Sequence, residues 1–409
     1  MESVLGEGSF GMVYRAWWKG TLTAVKRMVF PAGMSGAAKR EKMAIMETAI
    51  SARLRHPNIV QLYAFYLRPL AGEAAGGQGA GDSYASLAGG SDGGADVAGA
   101  FLAGDDAAAN FTWEVRLVLE YCDRGNLRTQ LDAPGAFLLP DGSRDMLSVV
   151  SCALDVAKAM LHLHSVNVLH SDLKACNVLL KTASVDDSRG YVAKVADFGL
   201  SLQLGDGGSH VEGVFQGTMS HMAPEVMTSG RVSKASDVYT FGILLWELFT
   251  GKHAFKGVPP TLLGHEVAYQ QRRPQFPEGC PFDYQLLACR CWESDYAIRP
   301  DFDAILQQLQ RMRGRLRAAD PAAGGAGGSQ GLHSGSLAFY APGTAGARLG
   351  GSPAAAGARL LSAPLAAAAA GLGRGPASSA ASLGGEDDDT GSSGLKVGLW
   401  GVCCVAGAW

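Results

Sequence analysis

The stretch His170–Asn177 reads HSDLKACN, and further along the chain Ala196–Gly199 reads ADFG. Together these two stretches supply two carboxylates, one ammonium group and one carboxamide, on Asp172, Asp197, Lys174 and Asn177. Phosphoryl transfer needs positioning and charge neutralisation more than it needs covalent help from the protein. A set of this composition therefore predicts a site that binds and transfers a phosphoryl group.

The first stretch resembles the catalytic loop of protein kinases, and the triplet that begins at Asp197 resembles their metal-binding triplet. This resemblance implies that Asp172 accepts the proton of a substrate hydroxyl and that Lys174 neutralises charge on the transferred group. It also implies that ATP is the phosphoryl donor. Asn177 and Asp197 would then ligate Mg²⁺, with Mn²⁺ as the alternative metal.

A glycine-rich stretch near the N-terminus reads GEGSFGMV over Gly6–Val13. A G-x-G-x-x-G pattern alone also fits a dinucleotide-binding turn, but residues 12–18 read as a strand rather than a helix. Residues 21–28 predict a second strand that contains Lys26. A glycine hairpin followed by a strand with one lysine resembles the kinase small lobe, which implies ATP contacts at Gly6, Glu7, Gly8, Gly11, Val13, Ala24 and Lys26. The alternative is an ordinary glycine hairpin with a solvated lysine.

Residues 37–55 predict a helix on which Glu47, Ile50 and Leu54 share one face. By its offset from His56, Glu47 resembles the helix glutamate that pairs with the strand lysine of kinases; Glu41 is the competing candidate. A buried lysine needs such a partner to keep its proton and its position.

Residues 71–110 are low in complexity, because 24 of these 40 residues are Gly or Ala and none is Lys or Arg. Their burial would not offset the entropy of ordering them, so we expect a disordered insert between two strands, at 61–66 and 113–120. The residues after the second strand resemble the kinase hinge at 120–126. Leu119 would limit the depth of the adenine pocket, while Glu120 and Cys122 would offer main-chain contacts to adenine.

Later segments predict a large helical lobe. Residues 146–164 predict a long amphipathic helix, residues 217–225 resemble the end of a kinase activation segment, and residues 237–249 read as a helix that is apolar all round. The family pattern also implies a buried ion pair between Glu225 and Arg299.

The predicted fold class is therefore α+β, in the two-lobed protein kinase architecture. The kinase domain would span 1–317, with a mainly antiparallel β small lobe carrying one helix (1–119), the hinge, and a mainly helical large lobe (127–317). Residues 318–409 are rich in Ala, Gly and Ser and predict a disordered tail.

The substrate class rests on Lys174 and Thr218, which match the serine/threonine kinase pattern. The stretches HPNIV, MAPEV and LWEL resemble the tyrosine-kinase-like group, which includes Raf-like and mixed-lineage kinases. Three residues depart from the common pattern. Ser171 stands where most kinases have the arginine that binds a phosphate on the activation segment, and His221 and Tyr296 replace commoner residues.

The net charge of −3 is too small to favour a nucleic-acid partner. The cysteines lack zinc-site spacing and favour reduced thiols, hence the cytoplasm. No signal peptide is apparent, and the most apolar segment, Leu395–Trp409, is shorter than the roughly 20 residues of a membrane span.

The function predicted from the sequence is an ATP-dependent protein kinase in signal transduction. Its partners would be ATP, proteins with serine or threonine hydroxyls, and an upstream kinase or regulatory partner. The alternative is a pseudokinase that binds nucleotide or acts as a scaffold.

Overall fold

The small lobe is built on a five-stranded antiparallel sheet in the order β1-β2-β3-β5-β4. In the computed structural model the strands are β1 (Ser3–Gly8), β2 (Gly11–Trp18), β3 (Thr21–Phe30), β4 (Leu62–Leu70) and β5 (Thr112–Glu120). The strands β4 and β5 pair from Leu62 to Leu70. This pairing carries β4 past the end predicted at residue 66.

The structure describes residues 2–8, 11–30, 48, 50–70, 112–183, 189–205 and 207–319. The predicted helix glutamate Glu47, its competitor Glu41 and the predicted insert 71–110 lie outside these residues, as does the predicted tail from residue 320 onward. Residues 50–53 are helical, and Ile50 and Leu54 are buried as predicted.

The register of the sheet decides which side chains face the cleft. Val13 lies opposite Lys26, and Lys26 lies opposite Leu117. Because directly opposed residues share a face of the sheet, these three side chains form one row. Gly11 is required here for packing, since a Cβ at this position would lie 2.1 Å from the carbonyl oxygen of Arg27.

The large lobe consists mainly of helices. They are α1 (Leu127–Asp132), α2 (Met146–Ser165), α3 (Pro224–Ser229), α4 (Lys234–Thr250), α5 (Pro260–Ala268), α6 (Phe282–Cys291) and α7 (Phe302–Ala319). Three short strand pairs join β6 (Val168–Leu169) to β9 (Leu202–Gln203), β7 (Val178–Thr182) to β8 (Tyr191–Val195), and β10 (His210–Val211) to β11 (Val232–Ser233). The last helix ends past the domain boundary expected at residue 317.

The helix α2 is buried on nearly all sides, rather than along one stripe as its predicted amphipathic pattern indicated. Its first turn is capped by Asp145, whose side chain accepts from the N–H of Ser148 at 3.0 Å. Among the described residues, α2 alone has the length and apolar composition of a membrane span, and 72% of that window is buried inside the protein. Burial of this extent is typical of a core helix.

The helix α4 is the centre of the large lobe and is buried on all sides from Ser236 to Phe249, although the apolar surface predicted for it is interrupted by two buried acids, Asp237 and Glu247. It begins at a capping box in which Ser233 and Ser236 exchange hydrogen bonds, and it ends at Gly251 in the left-handed conformation. Close to its start, the two terminal guanidinium nitrogens of Arg299 donate to the carboxylate of Glu225, at 2.6 and 2.9 Å. This buried pair confirms the predicted structural contact.

Candidate active site

The catalytic loop runs from β6 through a 3₁₀ turn at Ala175–Asn177 into β7. It is anchored by Asp237, which is fully buried in the first turn of α4. The carboxylate of Asp237 accepts hydrogen bonds from the backbone N–H groups of His170 and Ser171, both at 2.9 Å, and lies 3.0 Å from Nε2 of His164. Ser171 has a left-handed φ of 65°, a conformation that costs a non-glycine residue about 1–3 kcal/mol and needs such support.

The carboxylate of Asp172 is held by three donors. Lys174 Nζ donates to Oδ2 at 2.7 Å, Thr218 Oγ1 donates to Oδ1 at 2.7 Å, and Asn177 Nδ2 lies 3.1 Å from Oδ2. Lys174 also donates to Thr218 at 2.8 Å, which closes a triangle. Burial alone would lower the pKa of Lys174, but the charge of Asp172 outweighs it and raises the pKa above its ordinary value. The lysine therefore stays cationic beside the predicted proton acceptor.

Lys26 and Asp197 meet across the cleft between the lobes. Lys26 Nζ lies 2.9 Å from Oδ1 of Asp197, and the lysine side chain is only 2% exposed. Burial would raise the pKa of Asp197, but the charge and hydrogen bond of Lys26 hold it below its ordinary value. The acid is therefore ionised, as a metal ligand must be.

Two hydrogen bonds join the catalytic loop to the stretch that carries Asp197. The N–H of Ala196 donates to the carbonyl oxygen of Asn177 at 2.9 Å, and His170 Nε2 lies 3.2 Å from the carbonyl oxygen of Ala196. Asp197 itself has a left-handed φ of 64°. The two stretches singled out from the sequence therefore form one site.

The side-chain oxygen atoms of this site suit a hard divalent cation. Asn177 donates from its amide nitrogen, which leaves its side-chain oxygen as an acceptor, and Asp197 contributes a carboxylate. Mg²⁺ prefers oxygen ligands of this kind. These two residues would hold the metal.

The hinge lies where β5 leaves the sheet. Leu119 packs against an apolar cluster formed by Val60, Cys122, Leu179 and Ala196. Burial raises the pKa of Cys122 to about 12, so its thiol is protonated. The cluster is apolar, and its role as a pocket for adenine stays a prediction.

The side chain of Glu120 has partners that sequence reasoning did not identify. It accepts from Lys181 Nζ at 2.8 Å and lies 3.0 Å from Lys194 Nζ. Burial would raise the pKa of Glu120, but these two lysines hold it below its ordinary value. The side chain of Glu120 is therefore occupied, and its backbone N–H donates to the carbonyl oxygen of Gln61 at 2.8 Å. The main-chain contact of Glu120 with adenine stays a prediction.

The glycine-rich hairpin is described on both sides of its turn, although Ser9 and Phe10 lie outside the described residues. The register opposes Gly6 to Val13, Glu7 to Met12 and Gly8 to Gly11, and Ala24 lies opposite Leu119. The hairpin thus extends the sheet that carries Lys26, while its contacts with ATP stay a prediction.

Sequence reasoning missed Asp237 as the anchor of the catalytic loop, and it missed the apolar contributions of Val60, Leu179 and Ala196. A signal for Asp237 did exist, because a carboxylate inside an apolar helix must find donors. Tyr296, left unexplained by the sequence, lies under the guanidinium of Arg231 at 4.9 Å.

Comparisons with known proteins agree with this geometry. Residues 1–71 and 108–309 match the family model described as protein tyrosine and serine/threonine kinase. The chain is similar to human mitogen-activated protein kinase kinase kinase 11, with 31% identity over 77% of this chain and 31% of that protein. It is also similar to the probable serine/threonine-protein kinase pats1 of Dictyostelium discoideum (30% identity, 76% of this chain, 8% of that protein).

A plant protein, serine/threonine/tyrosine-protein kinase HT1 of Arabidopsis thaliana, is 31% identical over 74% of this chain and 64% of its own length. The chain thus spans less than a third of the length of the first relatives named above. The family model covers more than half of this chain. The chain therefore belongs to the protein tyrosine and serine/threonine kinase family.

Proposed function

We propose that this protein is an active protein serine/threonine kinase, which transfers the γ-phosphoryl group of ATP to a protein hydroxyl. Membership of the family implies the use of ATP and a divalent metal. The observation that carries the proposal is the 2.9 Å contact between Lys26 and Asp197, in a cleft where Asp172 is oriented by three donors. A scaffold would have no need to keep these groups charged and oriented.

In the proposed reaction Asp172 accepts the proton of the substrate hydroxyl as that oxygen attacks the γ-phosphorus. The bond from the γ-phosphorus to the oxygen that bridges it to the β-phosphate breaks, and ADP leaves. Lys174 lies 2.7 Å from this acid and would neutralise charge that builds on the transferred group. Lys26 would turn from Asp197 toward the α- and β-phosphates. The metal, when bound at Asn177 and Asp197, would neutralise the phosphate oxygens.

The preference for serine and threonine is supported by the hydroxyl of Thr218, which bridges Lys174 and Asp172. One relative is named a serine/threonine/tyrosine kinase, so tyrosine must be tested as an acceptor. We expect phosphoamino-acid analysis of the products to give phosphoserine and phosphothreonine. Thr218→Val should reduce transfer, whereas Thr218→Ser, which keeps the hydroxyl, should retain most of it.

The direct test measures incorporation of labelled phosphate from ATP into a generic protein substrate by the full chain. Asp172→Asn should lower the rate about 10²–10⁴-fold, because it removes the proton acceptor and keeps the shape. Equal incorporation by the two proteins would contradict the kinase proposal. Thermal stabilisation by ATP without any transfer would support the pseudokinase alternative.

The biological role is proposed from the relatives. The name of human mitogen-activated protein kinase kinase kinase 11 describes a kinase that acts on protein kinase kinases, and we propose a comparable place in a signalling cascade. Mg²⁺ as the metal, the cytoplasmic location and an upstream regulatory partner stay predictions. Phosphorylation of a panel of purified inactive protein kinases would test the signalling role, and Mg²⁺ and Mn²⁺ can be compared in the same assay.

A further inference from the structure

His221 is a buried histidine in the segment between Thr218 and α3. The backbone N–H of His221 donates to the carbonyl oxygen of Thr218 at 2.8 Å, and the ring nitrogen Nδ1 lies 3.0 Å from Oγ of Ser220. Its Nε2 is shielded from solvent, has no partner at hydrogen-bond length among the described residues, and lies 3.5 Å from Oε2 of Glu247. A buried polar atom of this kind requires an explanation.

Glu247 belongs to α4 and is itself buried. It accepts from the N–H of Ala254 at 3.0 Å and lies 3.9 Å from Arg128 of α1. Burial would raise the pKa of Glu247, but His221, the N–H of Ala254 and then Arg128 hold it below its ordinary value. The thiol of Cys176 in the catalytic loop is a further titratable group that interacts with this carboxylate.

The position of His221 connects this carboxylate to the reacting groups. His221 is joined to Thr218 by a backbone hydrogen bond, and the hydroxyl of Thr218 donates to Asp172 at 2.7 Å. A substrate hydroxyl that reaches Asp172 must bring its neighbouring residues alongside this segment. The placement of residues 218–222 therefore affects how a protein substrate is held.

We propose that His221 is a positioning residue for the protein substrate, which fastens residues 218–222 to α4 through Glu247; this rests on the proposed kinase function. With its proton on Nε2, the imidazole faces the carboxylate with a donor and accepts from the hydroxyl of Ser220 through Nδ1.

The test compares His221→Phe, which keeps an aromatic ring, with His221→Gln, whose amide nitrogen replaces the Nε2 donor. For the Phe variant we expect the KM for a protein substrate to rise about tenfold, equivalent to about 1.4 kcal/mol. Its KM for ATP should change by less than about twofold, because the nucleotide contacts are elsewhere. The Gln variant should restore the substrate KM. His210→Phe is the matched control, since His210 lies outside that segment, in β10, and contacts the exposed Glu212.

One further readout separates positioning from a general loss of structure. Amide hydrogen exchange over residues 215–222 should be faster in the Phe variant than in the wild type and the Gln variant.

The outcomes distinguish this inference from the kinase proposal. If the wild type transfers no phosphate, the kinase proposal fails, and with it a role toward a substrate. In that case the rates of amide hydrogen exchange alone decide whether His221 fastens residues 218–222 to α4. If the Phe variant equals the wild type in substrate KM and in exchange, the positioning role is wrong.

Discussion

The anchoring of the catalytic loop by Asp237 leads to a prediction for the substitution Asp237→Asn. In the wild type one carboxylate oxygen, Oδ2, faces both His170 N–H and the ring of His164, and the other, Oδ1, faces Ser171 N–H. Asparagine can keep its oxygen in the first position. Its NH₂ group then points at the N–H of Ser171, so that buried donor loses its acceptor.

The magnitude follows from these contacts. A buried donor that loses its partner costs about 1–3 kcal/mol, and each of the other two bonds weakens by about 1 kcal/mol when its acceptor loses charge. The negative charge also lies in the first turn of α4, where the helix dipole contributes about 0.3–1 kcal/mol. We therefore expect a loss of about 3–6 kcal/mol, from a total stability that is usually about 5–15 kcal/mol.

The effect on catalysis has the same origin. Without the acceptor, Ser171 can relax from its left-handed backbone conformation, and the next residue, Asp172, then moves. A displacement of about 1 Å at a reacting group can cost about 10²-fold in rate, so kcat should fall by about that factor even where the variant is folded.

The assays are urea unfolding followed by tryptophan fluorescence and kcat measured well below the transition midpoint. The control is Asp303→Asn on α7, where an exposed carboxylate contacts only Gln307 among the described residues, and where we expect a change within about 0.5 kcal/mol. A variant at Asp237 that lost less than about 1 kcal/mol and kept its kcat would refute the anchoring argument.

Three further predictions follow from the structure. The variant Gly242→Ala should lose about 1–3 kcal/mol in the free energy of unfolding by urea, because the added Cβ would lie 2.9 Å from a side-chain carbon of α6. The control Gly314→Ala in α7 should instead gain about 0.5–1 kcal/mol, because a Cβ there would have no atom within 4 Å among its described neighbours. Lys26→Met should lower kcat by about 10²-fold or more, because Asp197 loses its 2.9 Å contact; a normal kcat would contradict the site. Burial raises the pKa of Glu120 and its lysine partners lower it, and on balance the pKa lies below 4.5. The contribution of Glu120 to the free energy of unfolding is therefore full above pH 4.5, and it is lost as the pH falls through the pKa of the folded state. Glu120→Gln should be less stable than the wild type at pH 7, and the difference should vanish in acid unfolding series.

Much of the site could be predicted from residue types and their spacing. In HSDLKACN the reacting groups are neighbours along the chain, so a short loop brings Asp172, Lys174 and Asn177 together. The strand lysine was recognisable from its place after a glycine hairpin. The pair between Glu225 and Arg299 was predicted from the family pattern and is present.

Periodicity was a weaker guide for the core helices. The apolar residues of α2 suggested one buried stripe, yet small residues such as Ala153, Ala157 and Ala159 allow neighbours to pack on every side. Hydropathy reports which residues avoid water, but it does not report how many elements surround a helix.

The sequence by itself determined which candidate reacting groups this protein carries, because their residue types and local spacing are fixed by short stretches of the chain. Only the tertiary structure decided which distant groups meet. Lys26 contacts Asp197 across 171 positions, and Asp237 supports a loop 67 positions before it. Such contacts arise when two lobes and a central helix pack together, and packing depends on the whole set of buried surfaces rather than on any one stretch.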